Sequence, residues 1–150
     1  MIIRPAEKSD LPIIIKLLSD DVLGLKRENY ETPLPKSYYV AFENIIRDEN
    51  QELVVIKNSN KDVIGTLQLT FIPYLTYQGG RRAQIEAVRV GKEYRGKGYG
   101  RKLFEWAINR SCEKGAHLVQ LTTDKERPQA IEFYRTLGFN DSHLGMKLHL

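Results

Sequence analysis

The residues best suited to chemistry lie in the run Arg95-Gly96-Lys97-Gly98-Tyr99-Gly100, between a predicted strand and the start of a predicted helix. Glycines let the backbone turn tightly and approach a ligand closely. Free N–H groups at a helix start, aligned with its dipole, attract anions. Arg95, Lys97, Arg101 and Lys102 add positive charge. Together these describe a cradle for a pyrophosphate. Two rival phosphate motifs fail. Gly91-Lys92-Glu93-Tyr94-Arg95-Gly96-Lys97-Gly98 approaches a nucleoside-triphosphate loop, but Gly98 stands where a magnesium-binding hydroxyl is needed. The dinucleotide pattern expects an acidic residue after a second strand. The residues at that distance, Glu113-Lys114-Gly115-Ala116, fall at the end of a helix instead.

Other reactive side chains are sparse. Cys112, the single cysteine, excludes an internal disulfide and a multi-thiolate metal site, and it lies within the predicted long helix without a local histidine partner, His117 opening the next strand. His117, His143 and His149 are scattered and form no recognisable metal set. Glu86 is the only carboxylate in the strand predicted over 82–90, and strict alternation puts it on the same face as Val88 and Val90. Tyr134 sits on the apolar face of a late helix, where packing is the simplest role for it.

The elements that must position these groups read as follows. Strands are predicted over 2–5, 53–57, 63–72, 82–90 and 117–122, and an edge or paired strand over 143–150. A helix capped by Ser9 or Asp10 carries Leu11, Ile14, Ile15 and Leu18 on one face. Residues 19–37, with Gly24, Pro33 and Pro35, read as a loop or broken helix, and 38–48 as a second helix. A long helix near 98–114 buries Leu103, Phe104, Ala107 and Ile108 and closes at Gly115. Pro128 opens the late helix, which Gly138 stops. The order implies one α/β domain over 1–150, a mixed sheet covered by helices.

The run from Arg95 to Gly100 matches Arg-x-x-Gly-x-Gly, and in it the chain resembles the GNAT superfamily of N-acetyltransferases. Ala130-Ile131-Glu132-Phe133-Tyr134-Arg135-Thr136-Leu137-Gly138-Phe139 looks like that family's late helix and turn, and Ile85-Glu86-Ala87-Val88-Arg89-Val90 like its central strand. The likeness covers about residues 82–139 and is specific for the superfamily, not for a substrate. It implies a mostly antiparallel twisted sheet, splayed into a V and flanked by helices, with acetyl-CoA in the cleft. The segment Val88, Arg89 and Val90 would meet the pantetheine arm through backbone groups. Gly96, Lys97, Gly98, Tyr99, Gly100 and Arg101 would hold the pyrophosphate, with Arg95 beside them. Many relatives carry an asparagine where this chain has Arg127, so that contact would differ here.

Acetyl transfer to an amine needs a neutral nucleophile and a proton for the departing thiolate. A lysine-like amine has a reference pKa near 10.4, so deprotonation at neutral pH costs roughly 4–5 kcal/mol. Glu86, through water, is the candidate base. Tyr134, which the resemblance places at the family's acid position, is the candidate acid. The expected reaction is direct attack in a ternary complex on acetyl-CoA by a primary amine of a small molecule or peptide. His143 could line the acceptor cleft, and Glu28, Glu31 or Asp21 could attract a cationic amine.

Composition is that of an ordinary globular chain, 41% hydrophobic and 28% charged. The first residues break into charge and proline too early for a signal peptide, and no apolar run is long enough to span a bilayer. The expected compartment is therefore the cytoplasm, with no membrane partner. A net charge of +4 favours anionic partners. A nucleic-acid-binding domain is one alternative, although no recognised binding motif accompanies the basic residues. A non-catalytic CoA-binding or regulatory module on the same fold is the other. Homodimers are common among proteins of this kind.

Overall fold

The computed structural model describes all 150 residues. Five strands form one sheet in sequential order: β1 (Ile2–Pro5), β2 (Gln51–Lys57), β3 (Val63–Pro73), β4 (Arg81–Val90) and β5 (Leu118–Leu121). The first four pair antiparallel and β5 lies parallel to β4. Helices α1 (Leu11–Leu18), α2 (Val22–Arg27) and α3 (Lys36–Arg47) precede β2. A single turn, α4 (Thr76–Gly79), links β3 to β4. Helix α5 (Tyr99–Glu113) follows β4, and α6 (Pro128–Arg135) follows β5.

Period-two alternation in the strands divides the core in two. Val54, Ile56, Leu67, Leu69, Phe71 and Ile85 pack against Leu103, Phe104 and Ala107 of α5. Val55, between two residues of that first layer, turns to the other side and meets Ile14 and Ile15 of α1 and Phe42 of α3. Strand β2 is thus covered on both faces, which is why Leu53-Val54-Val55-Ile56 is a continuous apolar run. Ile108, expected in the core, is only partly buried.

Asp10 does not cap α1 through its side chain. Its buried carboxylate takes two hydrogen bonds from Arg4, at 2.7 and 3.0 Å, and one from the Glu7 N–H at 2.8 Å. Burial alone would raise its pKa, but these donors outweigh it and hold the carboxyl below its usual value. A group depressed in the folded state adds stability above its unfolded pKa, near 3.9, and loses it as pH falls through the folded value. Asp10→Asn is expected to lower the unfolding free energy by about 2 kcal/mol at neutral pH. It should also flatten the acid limb of stability below about pH 4, measured by urea denaturation across pH.

Of the two readings of residues 19–37, loop or broken helix, the second holds: they contain the short helix α2, whose N-cap Asp21 accepts a hydrogen bond from the Gly24 N–H at 2.6 Å. One expectation is corrected. Residues 143–150 form no strand. Their alternating apolar side chains find no covering element, and Leu144, Met146 and Leu148 remain 76%, 90% and 87% exposed.

Candidate active site

Pairing between β4 and β5 runs from Arg82↔Leu118 to Ile85↔Leu121, while β4 continues to Val90. Beyond Ile85 the β5-facing edge of β4 is therefore open, and the sheet splays at that point. A cleft of about 270 Å³ occupies the opening. Glu86 and Val88 of β4, Phe104 of α5, Thr123 after β5, and Arg127 and Tyr134 of the late segment contribute to its walls. A larger cleft of about 430 Å³ lies between β2 and α5, beside Trp106. There Arg110 and Glu52 pair with each other at 2.7 Å, and no phosphate turn adjoins them. Glu86 and Tyr134 both line the smaller opening, while the turn at 95–100 is not part of its walls.

Strand β4 departs from simple alternation. Ala87 has φ +53°, and the register with β3 shifts between Thr66 and Gln68. This bulge sets two β4 residues against one on the partner. Gln68 faces Glu86 and Thr66 faces Arg89, so Glu86 and Arg89 share a face. Val88 and Val90 turn to the opposite face and pack on the cluster around Phe104. The expectation that Glu86 shares a face with the two valines is thereby overturned: the extra residue reverses the parity. The sequence carries little sign of it, because alanine rarely marks a positive φ.

The turn after β4 leaves its glycine backbone open. Gly96 and Gly98 have φ +73° and +82°, and a Cβ on either would meet nothing within 4 Å. Gly98 is the N-cap of α5 and no side chain caps the helix, so its first N–H groups have no side-chain capping partner. Lys97 lies over the Tyr94 ring at 5.7 Å, and Arg101 donates to the Thr136 hydroxyl at 3.0 Å. Arg95 donates through Nε to the Val90 carbonyl at 3.0 Å and pairs with Asp20 at 3.4 Å. Bare glycine backbone, a free helix start and surrounding cations suit a pyrophosphate.

Tyr134 packs against Phe104, Phe133 and Phe139, with ring centroids 5.4–6.3 Å apart. Burial pushes its phenol pKa up, opposed in part by the Thr123 hydroxyl and the charges of Arg127 and Arg89. The phenol is therefore protonated at neutral pH. Glu86 is exposed in the cleft and makes no ion pair. Arg127 donates to Asp21 at 2.7 Å rather than reaching toward the phosphate turn. Arg89 stands 3.6 Å from the same carboxylate and donates to the Val88 carbonyl at 2.8 Å. Asp21 is thus committed to two arginines and a helix start, and does not serve as the free acid expected for a cationic amine. His143 is exposed and contacts the Ser142 hydroxyl at 2.8 Å, while Lys147 is the C-terminal side chain that borders the cleft. Sequence reasoning missed Arg27, Thr123 and Lys147 as cleft neighbours, because each comes from a loop or short element brought in by the tertiary fold.

An open five-stranded mixed sheet, splayed at β4 and followed by a glycine-rich turn into α5, is the arrangement expected of the N-acetyltransferases that the sequence resembles. The sequence profile of the Acetyltransferase (GNAT) family matches residues 19–139, and the chain belongs to that family. A crystal structure from Bacillus halodurans C-125, described as that of a transcriptional regulator, is 54% identical, with a TM-score of 0.96 and 99% of each chain covered. The L-methionine sulfoximine/L-methionine sulfone acetyltransferase of Pseudomonas aeruginosa is 26% identical over 140 residues, 93% of this chain and 80% of that protein. The spermidine N(1)-acetyltransferase of Vibrio cholerae is 26% identical over 151 residues, 95% and 80% of the two chains. No helix of this chain is long and apolar enough to cross a membrane.

Proposed function

We propose that this acyltransferase moves an acetyl group from acetyl-CoA to the primary amine of a small acceptor, by direct attack within a ternary complex. The observation that carries this reading is the shared cleft: Glu86 and Tyr134 border one opening at the splayed edge of β4. Acetyl-CoA, when bound, supplies an activated thioester. The main-chain N–H groups from Gly96 to Arg101 would hold its pyrophosphate, and the open edge at Val88, Arg89 and Val90 would pair with the pantetheine arm. Glu86 accepts a proton from the attacking amine through water. The phenol of Tyr134, protonated at neutral pH and walled by aromatic rings, donates to the departing sulfur. The named activities of the Pseudomonas and Vibrio relatives, on an amino-acid analogue and on a polyamine, support an amine acceptor and leave its class to the cleft itself.

Glu86→Gln is expected to lower kcat about 100-fold near neutral pH, with acetyl-CoA affinity kept. If deprotonating the amine is the deficit, the variant recovers rate as pH rises toward the amine's own pKa. Steady-state rates across pH check this. A rate equal to wild type at pH 7 removes Glu86 as the base.

A further inference from the structure

The charges around Asp21 do not balance. Arg89 and Arg127 both lean on this carboxylate, at 3.6 and 2.7 Å, and it also caps α2 through the Gly24 N–H. Its pKa is held down by that N–H and by the arginine charges, against the effect of burial. Arg27, the other nearby cation, has its own partner in Glu28 at 2.6 Å. The Arg89 side chain is only 13% exposed, and its Nε is buried without a hydrogen-bond partner. A largely desolvated guanidinium with an orphaned donor is costly unless an anion completes it. Lys147, also at the cleft, makes no ion pair. The acids on the lining are Glu86 and Asp124, and neither pairs with Arg89, Arg127 or Lys147.

The bulge at Ala87 gives this surplus a direction. It brings Arg89 to the same face as Glu86, opposite β3 residues two apart, so the two side chains leave the strand about 7 Å apart. One site for an ammonium and one for an anion then lie side by side at the cleft.

We propose that the acceptor amine carries an anionic group, carboxylate or phosphate, which Arg89 holds while the amine lies at Glu86. This rests on the acetyl-transfer reading for its chemistry but on the Asp21 cluster for its specificity. A guanidinium suits both oxyanions; here Nη1 already donates to the Val88 carbonyl and Nη2 faces Asp21 at 3.6 Å, so the unpartnered Nε–H is the donor left for the ligand. A polycationic amine would meet like charge here.

Matched acceptor pairs test the proposal: an α-amino acid against its amide, glucosamine 6-phosphate against glucosamine, and spermidine as the polycation. Calorimetric binding and acetyl transfer are measured for each, with wild type, Arg89→Gln and Arg89→Lys. Far-UV circular dichroism and the urea unfolding midpoint report that the variants fold. The expected result is about a 10–100-fold preference for the anionic member of one pair, erased in Arg89→Gln and partly kept in Arg89→Lys. Which pair responds separates carboxylate from phosphate. Equal use of the neutral or cationic amines overturns the proposal while leaving acetyl transfer standing. Preferential binding of the anionic member without turnover upholds the anion site and sinks the acetyl-transfer reading. Absence of binding by every pair overturns the anion site.

Discussion

Replacing Tyr134 by phenylalanine is expected to lower kcat by about 10²–10⁴-fold while leaving acetyl-CoA affinity almost unchanged. The phenol adds one hydroxyl to an aromatic wall that phenylalanine can rebuild, since the neighbours Phe104, Phe133 and Phe139 are themselves phenylalanines. The substitution therefore removes the proton donor and little packing. Burial raises the phenol above its ordinary value near 10, so the wild-type donor persists through the neutral range and is lost only as pH rises through that raised value. The variant should lack that alkaline limb. Pre-steady-state thiol release measures both the rate and the limb.

The second large effect is expected at the phosphate turn. Gly98→Val places a β-branched residue at φ +82°, a conformation that costs a side chain of that kind about 1–3 kcal/mol. Nothing in the protein lies within 4 Å of the added carbon, so the strain is conformational, and the new methyls would enter the space proposed for the pyrophosphate. Acetyl-CoA affinity should fall about 10–100-fold, read by calorimetry. Gly115→Val is the matched control. Its φ is +72°, its surroundings are equally open, and it lies beyond the other end of α5. It should cost similar stability and leave the cofactor affinity alone.

What the sequence made legible follows from where local rules decide structure. The turn at 95–100 could be read directly, because glycine at positive φ and a helix start are properties of a few adjacent residues. The strand positions along the chain also followed from local pattern, whereas the spatial order of the strands and the two layers, to which Val54, Val55 and Ile56 contribute by burying on alternating sides, came only with the folded sheet. The bulge at Ala87 was hidden, since Glu86-Ala87-Val88-Arg89-Val90 alternates well enough to pass for a regular strand. The Asp21 cluster was hidden for another reason. Asp21 and Arg127 are joined across 106 positions, a meeting that only the folded sheet arranges. The segment 143–150 shows the converse error: period two marks a strand only when some surface covers its apolar side, and none does here.

The central claim is that amine acetylation takes place in the cleft between Glu86 and Tyr134. It is tested most directly by release of free CoA thiol from acetyl-CoA across a panel of amines, comparing wild type with Tyr134→Phe. Release is expected to depend on the acceptor and to collapse in the variant, with acetyl-CoA still bound. Tight binding of acetyl-CoA with no acceptor-dependent release, or release unchanged by the substitution, would contradict it.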